Sequence, residues 1–301
     1  MKAVVLSRFG GPEELRLDDV ERPEPGPGQV RVRVRAAGVN PFDVKVRSGA
    51  MEAVFRTQLP TVLGLELAGV VDAVGRDASG AEVGDEVLGW ADTGAYAEYA
   101  LVGKFARKPE GLSWARAAAL PVAIETTDRV LGLLDVRPGE TLLVHGATGG
   151  VGTMAVQLAV AAGLRVIGTA GPDNQEHLAA LGATPTTYGP GLVDRVRALA
   201  PDGVDAVFDV AGRGALPDSI ELRGGTDRIV TIADDTAAER GVVFSSGPQQ
   251  RSAERLAELA GKAARDELVI TVAAAFPLAD AAEAHRVSAA GHVRGKLVLT
   301  A

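Results

Sequence analysis

Apolar and charged residues alternate strictly between residues 30 and 35, where the sequence reads Val-Arg-Val-Arg-Val-Arg. A period of two is typical of a strand that buries one face. Strand-like runs also occupy the N-terminus and residues 67–74, 86–88 and 95–102, with glycines at the turns between and after them. Short strands at this spacing predict a compact, barrel-like β module over residues 1–120.

The pattern changes after Pro109. Ser113 is a suitable N-cap for one helix, and a second helix fits residues 124–134. Residues 141–145 are almost all apolar, as expected for a strand buried on both faces of a parallel sheet. Beyond a glycine-rich loop the pattern predicts helices at 153–162, 175–181 and 192–199, and strands at 165–169, 206–210 and 228–232. This alternation indicates a doubly wound parallel sheet.

The last residues return to a mixed pattern, with a strand-like run at 269–275, a helix at 278–289 and a strand at 296–300. Because a tail of this size is too short to fold alone, we expect it to rejoin the N-terminal module. The predicted fold is therefore α/β. A β-barrel domain comprises residues 1–121 and 263–301, and a doubly wound domain comprises residues 122–262.

Composition narrows the function. A chain of 301 residues with 47% hydrophobic and 23% charged residues is typical of a soluble globular protein, and its net charge of -8 argues against nucleic-acid or anionic-membrane partners. Without a long apolar stretch or a cleavable-signal pattern, we expect a cytoplasmic location. The absence of cysteine excludes disulfides, thiolate zinc sites and cysteine nucleophiles. The four histidines show no metal-ligand spacing, so metal catalysis is not expected.

The loop after residue 145 carries three glycines at the spacing Gly-x-x-Gly-x-x-Gly and joins an apolar strand to a helix. Such glycines allow a tight turn and a close approach to pyrophosphate, which the N–H groups of the helix N-terminus then bind. The alternative is a purely structural glycine turn. The residues expected to contact a dinucleotide here are Gly146, Thr148, Gly149, Gly150, Val151 and Gly152.

The end of the next strand discriminates between NAD and NADP. Residues 166–171 contain no carboxylate to bind the ribose 2′-hydroxyl, so a 2′-phosphate is admitted and NADPH is the expected cofactor. Thr169, Gly171 and Asn174 are placed to contact that phosphate, although no Arg or Lys lies within residues 171–177. Alternatively, Asn174 is an N-cap for the following helix.

Nearly the whole chain resembles the medium-chain dehydrogenase/reductase superfamily, specifically its zinc-free, zeta-crystallin-like quinone oxidoreductase branch. Besides the glycine loop, the residues that carry the resemblance are 36–43 (AAGVNPFD), 63–70 (LGLELAGV), 83–89 (VGDEVLG), 117–121 (AAALP) and 285–296 (HRVSAAGHVRGK). The resemblance implies a GroES-like catalytic domain interrupted by a Rossmann domain. It also implies that zinc ligands of metal-dependent relatives correspond to Asn40 and Leu65 in this chain.

The resemblance also implies roles for individual residues. Asn40 and Asp43 would line the substrate site beside the nicotinamide. Further cofactor contacts would come from Thr126, Tyr188, Ala211, Ile232, Phe244 and Ser245. The sequence departs from the family pattern at Glu125, where leucine is more usual. It also departs in residues 48–59, which lack the tyrosine often found over the substrate, and in the acidic segment 234–240.

A site without a Lewis acid suits hydride transfer to an acceptor that is already electrophilic, such as a quinone or an α,β-unsaturated ketone. We expect Asn40 to donate a hydrogen bond to the developing enolate, Asp43 to orient Asn40 or relay a proton, and solvent to be the terminal proton source. Alternatively, Asn40 is a turn residue before a proline and Asp43 is an acid at a helix N-terminus. Phe42, Phe55 and Trp90 are candidate pocket walls, with core packing as the alternative; His285 and Lys296 are expected to be structural.

Two competing functions remain open. One is an enoyl reductase or cyclase that acts on a biosynthetic, polyketide-like intermediate. The other is a non-catalytic sensor that binds NADPH. The resemblance also suggests a homodimer in which residues 242–244 pair across a two-fold axis.

Overall fold

The alternating residues 30–35 begin a longer strand, Val30–Val39, around which one of the two sheet systems is built. The computed structural model describes residues 1–247 and 251–301. The strands in these ranges are β1 (Lys2–Leu6), β2 (Leu15–Asp19), β3 (Val30–Val39), β4 (Thr61–Val62), β5 (Glu66–Val74), β6 (Glu86–Ala91), β7 (Tyr99–Arg107), β8 (Thr141–His145), β9 (Arg165–Ala170), β10 (Thr184–Thr187), β11 (Ala206–Asp209), β12 (Ile229–Thr231), β13 (Val243–Phe244), β14 (Val272–Pro277) and β15 (Lys296–Thr300).

The same ranges contain helices that follow or connect these strands. They are α1 (Pro41–Ser48), α2 (Trp114–Ala118), α3 (Pro121–Leu134), α4 (Gly150–Ala161), α5 (Gln175–Ala180), α6 (Leu192–Leu199), α7 (Leu216–Arg223), α8 (Ala253–Ala264) and α9 (Ala281–Ala290). No helix in the described part of the chain is both long and apolar enough to cross a membrane.

A closed β-barrel forms the centre of the first unit, which comprises residues 1–122 and 251–301. Strand β3 pairs with β5 and also with β7, while β6 joins β5 to β7. The valines of the alternating segment are buried in the core, whereas Arg33 and Arg35 are exposed. The predicted barrel is therefore confirmed, because its hydrophobic period of two places one face of β3 inside.

The C-terminal residues extend this sheet. Strand β15 runs antiparallel to β3 and parallel to β14. The division of the described chain into compact units falls at residues 122/123 and 250/251, compared with the predicted 121/122 and 262/263. The predicted second boundary lies inside α8, a helix that packs against β7.

A six-stranded parallel sheet forms the second unit, within residues 123–247. Its strand order is β10-β9-β8-β11-β12-β13, and every neighbouring pair is parallel. This is the order of a doubly wound nucleotide-binding sheet, and it confirms the predicted fold class. The order reverses between β8 and β11, and β8 carries the glycine loop at its carboxyl end.

Several elements differ from the sequence-based prediction. Strand β10 was not predicted from the sequence; it contains Pro185, which is tolerated because β10 is an edge strand of its sheet. Strand β7 runs from Tyr99 to Arg107 instead of over the predicted residues 95–102, and Ala97 forms only an isolated bridge with Ala3. Helix α4 begins three residues early, at Gly150. The prediction also missed β2, α7 and α8.

Glycine is required at position 69, where β5 crosses β3. A Cβ atom placed there would lie 2.2 Å from the carbonyl oxygen of Arg33, a backbone atom that cannot move without disrupting the pairing. We expect Gly69→Ala to lower the free energy of unfolding by about 1–3 kcal/mol, as measured by urea unfolding. Gly132→Ala is the control, because a Cβ at this helical position meets nothing within 4 Å and should stabilise by up to about 1 kcal/mol. Equal stability of the two variants would contradict this account.

Candidate active site

The glycine loop folds back on itself between β8 and α4. The N–H of Gly149 donates to the carbonyl oxygen of Gly146 over 3.2 Å, and Gly146 has a positive φ of 71°. A Cβ on Gly152 would lie 2.2 Å from that same carbonyl oxygen, so only glycine fits there. At Gly149 the nearest atom would be 3.6 Å away, which leaves this side of the loop open.

Helix α4 directs its N-terminus out of this loop. Gly149 is the N-cap and has no side chain, so no side-chain oxygen caps the N–H groups of the first turn. Gly150 and Val151 form that turn and are half-buried, while Thr148 is buried in the loop before it. Unpaired N–H groups at the positive end of a helix form an anion site, and the geometry therefore fits a pyrophosphate group.

Polar side chains hold the neighbouring strand ends in place. The Asp209 carboxylate accepts the N–H groups of Ala211 and Gly212 at 3.0 and 3.1 Å and the hydroxyl of Thr231 at 2.8 Å. The Thr231 hydroxyl in turn accepts the N–H of Asp234. Ala211 and the residue after Thr231, which is Ile232, are both half-buried at the carboxyl edge of the sheet. Asp209 and Thr231 were missed by the sequence analysis.

The structure brings together part of the predicted phosphate site. A Cβ on Gly171 would lie 3.7 Å from the hydroxyl oxygen of Tyr188. The N–H of Asn174 donates to the Gly171 carbonyl, and its side chain caps no helix. Thr169 differs, because its buried hydroxyl accepts the N–H of Gly146 at 3.2 Å. Thr169 therefore supports the glycine loop, and direct contact with a phosphate stays a prediction.

Two side chains donate hydrogen bonds to backbone carbonyl oxygens on either side of Tyr188. The amide of Gln175 donates to the carbonyl oxygens of residues 170, 171 and 186 at 3.0–3.3 Å. The guanidinium group of Arg195 donates to the carbonyl oxygens of residues 187–190. These contacts fix the loop that carries Tyr188, which is itself exposed.

Thr126 lies on α3 next to an ion pair. Glu125 and Arg129 are joined by a 2.8 Å contact between Oε1 and Nε, and the Thr126 hydroxyl donates to Glu125 at 3.4 Å. Arg129 also donates to the hydroxyl oxygen of Ser245, the residue that follows Phe244 at the end of β13. The unexpected charge of Glu125 is therefore neutralised within the same helix.

In the first unit, Asn40 belongs to a buried, charged hydrogen-bond network. Its Oδ1 accepts from Lys296 Nζ at 2.5 Å, and its Nδ2 donates to Glu66 Oε1 at 3.0 Å. Lys296 and Glu66 form a direct ion pair at 2.6 Å with side chains that are 6% and 0% exposed. The amide of Asn40 is thus fixed in one orientation, because the lysine can only donate and the carboxylate can only accept. Lys296 was expected to be structural, whereas here it contacts the predicted catalytic residue.

The backbone of β3 leaves space for the Glu66 carboxylate at Gly38. A Cβ on Gly38 would lie 2.3 Å from Glu66 Oε1, so the absence of a side chain at this position of β3 admits the carboxylate. The other carboxylate oxygen accepts the N–H of Val122 at 2.8 Å. Both oxygens are therefore satisfied, which a buried carboxylate requires.

Asp43 connects Asn40 to a second set of buried groups. Its Oδ2 accepts the backbone N–H of Asn40 at 2.8 Å and the Tyr96 hydroxyl at 3.0 Å, and His285 Nε2 lies 3.3 Å from that hydroxyl. Asp43 thus holds the backbone of Asn40 at the start of α1, as a helix-capping acid does. Tyr96, one of three tyrosines in the chain, was not assigned a role from the sequence.

Burial shifts the pKa values of these groups in opposite directions. Desolvation raises the pKa of Asp43 from 3.8 to about 6, although the hydrogen bonds from Asn40 and Tyr96 oppose it. Desolvation lowers the pKa of His285 from 6.5 to about 4, with a further contribution from the charge of Arg47. Burial and the neighbouring Asp43 raise the pKa of Tyr96 well above 10. Both Tyr96 and His285 are therefore neutral at neutral pH.

Two of the three predicted aromatic wall residues contact each other. Phe42 and Phe55 contact each other edge to face with ring centroids 5.6 Å apart, and Phe55 is 50% exposed. Trp90 is almost fully buried and lies opposite Glu66 in the pairing of β5 with β6. Phe42 and Phe55 therefore form an accessible apolar surface beside α1, whereas Trp90 is part of the interior.

Comparison with known proteins identifies the family. Residues 26–109 match the family model of the alcohol dehydrogenase GroES-like domain, and residues 181–299 match that of the zinc-binding dehydrogenases. The quinone oxidoreductase of Homo sapiens is 31% identical over 99% of this chain and 97% of its own length. The chain belongs to the medium-chain dehydrogenase/reductase superfamily, in its quinone oxidoreductase branch. It is an oxidoreductase by this membership.

Other members of the superfamily are similar over the full chain. The chloroplastic NADPH-dependent alkenal/one oxidoreductase of Arabidopsis thaliana is 33% identical over 99% of this chain and 79% of its own length. The structure of the quinone oxidoreductase from Coxiella burnetii has a TM-score of 0.89 at 34% identity and covers 100% of this chain and 99% of its own. An NAD-dependent alcohol dehydrogenase (TM-score 0.86, 34% identity) and a mycobacterial protein complexed with NADPH (0.86, 29%) each cover both chains fully.

The family includes zinc enzymes, but the residues of this chain do not fit zinc. The positions implied for ligands hold Asn40 and Leu65. The ammonium group of Lys296 lies within 2.6 Å of both Asn40 Oδ1 and Glu66 Oε1. A second cation would be repelled there, and neither Asn40 nor Leu65 offers the imidazole nitrogen or thiolate sulfur that zinc prefers. No group of three His, Asp or Glu residues suited to a metal occurs in residues 1–247 and 251–301.

Two glycines of the nucleotide loop provide a matched test. Gly152→Ala should distort the loop, because its Cβ would overlap the Gly146 carbonyl, and should weaken NADPH binding together with stability. Gly149→Ala has space within the loop and should keep its stability. It should still weaken NADPH binding by roughly tenfold or more, because its methyl group faces the expected pyrophosphate. Calorimetric binding and thermal unfolding of both variants measure this, and unchanged NADPH affinity in both would rule out the site.

The pKa of Asp43 is raised and that of His285 is lowered, so their effects on the pH dependence of the free energy of unfolding should oppose each other. Between 3.8 and about 6, folded Asp43 binds more protons than unfolded Asp43, so its contribution to stability falls as pH rises through this window. Between about 4 and 6.5, unfolded His285 binds more protons, so its contribution rises with pH. Each amounts to about 3 kcal/mol, and the two largely cancel in the wild type.

Replacing either Asp43 or His285 should make the pH dependence contributed by the other group measurable. We expect the free energy of unfolding of Asp43→Asn to rise from about pH 4 to about pH 7, and that of His285→Gln to fall over the same range. Urea unfolding at several pH values gives both slopes. Parallel pH profiles in the wild type and both variants would show that these groups do not carry the shifts.

Proposed function

We propose that this protein is an NADPH-dependent reductase that transfers hydride, without a metal ion, to a quinone or to the β-carbon of an α,β-unsaturated ketone. The observation that carries the proposal is the Asn40 amide, oriented by Lys296 and Glu66 where zinc-dependent relatives hold a metal ligand. The names of the human and Arabidopsis relatives support the same two classes of acceptor.

The second unit would hold the nucleotide, which supplies the hydride when bound. Gly146–Gly152 and the N-terminus of α4 would bind the pyrophosphate, and Ala211 and Ile232 lie at strand ends where the nicotinamide ribose is expected. NADPH is favoured over NADH because the end of β9 lacks a carboxylate and because Gly171, Asn174 and Tyr188 cluster beside it. A relative solved with NADPH supports this preference, although an NAD-dependent relative is equally similar in structure.

Asn40 would stabilise the negative charge that develops on the acceptor oxygen. One Nδ2 hydrogen is bound by Glu66, which leaves the second to donate to the acceptor. The ammonium of Lys296 on Oδ1 polarises the amide and strengthens that donor. An oriented donor that needs no reorganisation is the usual source of such stabilisation.

The other groups near Asn40 would hold it in place and would take no part in the reaction. Asp43 receives hydrogen bonds from the Asn40 backbone and from Tyr96, so its role is to fix the start of α1. None of the buried hydrogen-bond donors described around Asn40 would protonate the carbon atom of the reduced acceptor. Solvent would supply that proton. Phe42 and Phe55 would offer an apolar surface to a planar acceptor.

Assembly and location remain proposals. Val243 is 51% exposed on β13, an edge strand of the parallel sheet, which supports a homodimer formed by pairing of residues 242–244. A cytoplasmic location is a prediction from the sequence alone. An enoyl reductase or cyclase remains the alternative activity, and a non-catalytic NADPH sensor remains the alternative class.

Steady-state oxidation of NADPH and NADH with 1,4-benzoquinone and a panel of enones tests the proposal. We expect turnover with NADPH, and a loss of roughly a hundredfold in kcat for Asn40→Ala with little change in NADPH affinity. Lys296→Met should also lower kcat, whereas Lys262→Met, which changes an exposed lysine of α8, should not.

Three results would redirect the assignment. Unchanged turnover in both Asn40→Ala and Asp43→Ala would remove these residues from the mechanism. Tight NADPH binding without oxidation by any acceptor would favour the sensor. Activity confined to large biosynthetic enones would favour the enoyl reductase.

A further inference from the structure

The ion pair between Glu125 and Arg129 is unusual in its burial. Their side chains are 6% and 7% exposed. The ion pair Lys296–Glu66 is buried to a similar degree on both sides. A buried pair contributes little net stability, because desolvation of both charges offsets their attraction. Its presence therefore calls for a role other than stability.

Arg129 connects α3 to the edge of the parallel sheet. Besides its contact with Glu125, the guanidinium donates to the hydroxyl oxygen of Ser245. The N–H of Ser245 donates to the carbonyl of Thr231 at 2.9 Å. Ser245 follows β13, which has only two residues and pairs with a single strand. The ion pair thus holds the side chain of a residue whose backbone is otherwise fixed by one neighbour.

The pair also sets the hydrogen-bonding direction of two hydroxyl groups. The Ser245 oxygen accepts from Arg129, so the Ser245 hydrogen is free to donate elsewhere. The Thr126 hydroxyl donates to Glu125 Oε2 at 3.4 Å, so its lone pairs are free to accept. One donor and one acceptor are the complement of a carboxamide, which offers a carbonyl oxygen and an NH₂ group.

We propose that Glu125 and Arg129 are positioning residues for the nicotinamide end of the cofactor. They fix Ser245 as a donor and Thr126 as an acceptor for the nicotinamide carboxamide. The inference rests on the proposed function and on the family resemblance, which implies that Thr126 and Ser245 contact the cofactor. Neither charged residue takes part in the transfer itself, and the neutral pair adds no net charge that would repel the cofactor phosphates.

Three ligands separate this role from a structural one. NADP⁺ carries the carboxamide, its 3-acetylpyridine analogue replaces NH₂ with methyl, and 2′,5′-ADP lacks the nicotinamide half. We expect wild-type protein to prefer NADP⁺ over the acetylpyridine analogue. The double variant Glu125→Leu/Arg129→Leu should bind NADP⁺ roughly tenfold more weakly, lose that preference and bind 2′,5′-ADP as before. Calorimetry gives all three affinities.

The melting temperature of the variants is a second measurement that separates a positioning role from a structural one. Because apolar residues of similar size replace a buried ion pair at little cost, the melting temperature of the double variant should be unchanged or higher. Arg129→Lys, which keeps the charge but loses the planar fork, and Ser245→Ala should each reduce the preference without unfolding the protein. Asp227→Asn breaks an exposed pair with Arg223 at the same i,i+4 spacing in the same unit and should leave all three affinities unchanged.

The outcomes distinguish this inference from the proposed function. If the wild type oxidises NADPH but the double variant keeps its affinity for NADP⁺ and its preference, the positioning role is wrong while the function stands. Parallel losses of melting temperature and of 2′,5′-ADP affinity would also overturn it, since they indicate a structural role. Failure of the wild type to bind NADP⁺ would remove the proposed function and this inference together.

Discussion

The ion pair between Lys296 and Glu66 organises the first unit. It ties β15, the last strand of the chain, to β5 in the barrel, and its two charges leave the Asn40 amide only one orientation. Breaking such a pair would leave an unpaired charge in the interior, at a cost of about 3–5 kcal/mol. The surrounding backbone is shaped accordingly, because Gly38 leaves space for the carboxylate and the N–H of Val122 satisfies its second oxygen. The buried contacts that stabilise this part of the fold are therefore the same contacts that orient the Asn40 amide.

The second unit shows a related principle at the carboxyl edge of its sheet. There buried polar side chains hold in place the backbone that would meet a nucleotide. Thr169 accepts the N–H of Gly146 and so supports the glycine loop, and Asp209 collects the N–H groups of the residues after β11. A loop that approaches phosphate closely must present N–H groups rather than side chains. Its rigidity must therefore come from polar groups buried behind it.

The sequence was sufficient for those features that depend on local pattern. Alternation in β3 and apolar continuity in β8 each have one physical interpretation, and both strands are present in the fold. The glycine spacing also allowed a purely structural turn, and its contacts with a nucleotide stay a prediction. The contacts of Lys296, Tyr96 and His285 were not predictable, because each joins residues far apart in the chain and no local pattern records the pairing. Glu125 was recognisable as an unusual charge, but its partner Arg129 became evident only when the helix placed them one turn apart. Strand β10 contains Pro185, which is unfavourable in a strand except at an edge, and which strand forms an edge is set by the whole sheet.

In the proposed mechanism the protein's own charges, rather than a metal ion, polarise the acceptor. A metal polarises a carbonyl directly, whereas Lys296 would act on Asn40, whose amide would transmit a weaker polarisation through a hydrogen bond. Such a donor stabilises charge that is already delocalised, as in an enolate or a reduced quinone, better than the localised charge of an alkoxide. The same reasoning applies to Glu125 and Arg129, which in the inferred positioning role would act through the hydroxyl groups of Thr126 and Ser245. In both units a buried, paired charge sets the direction of a neutral hydrogen-bonding group, and the neutral group is the one suited to contact cofactor or substrate.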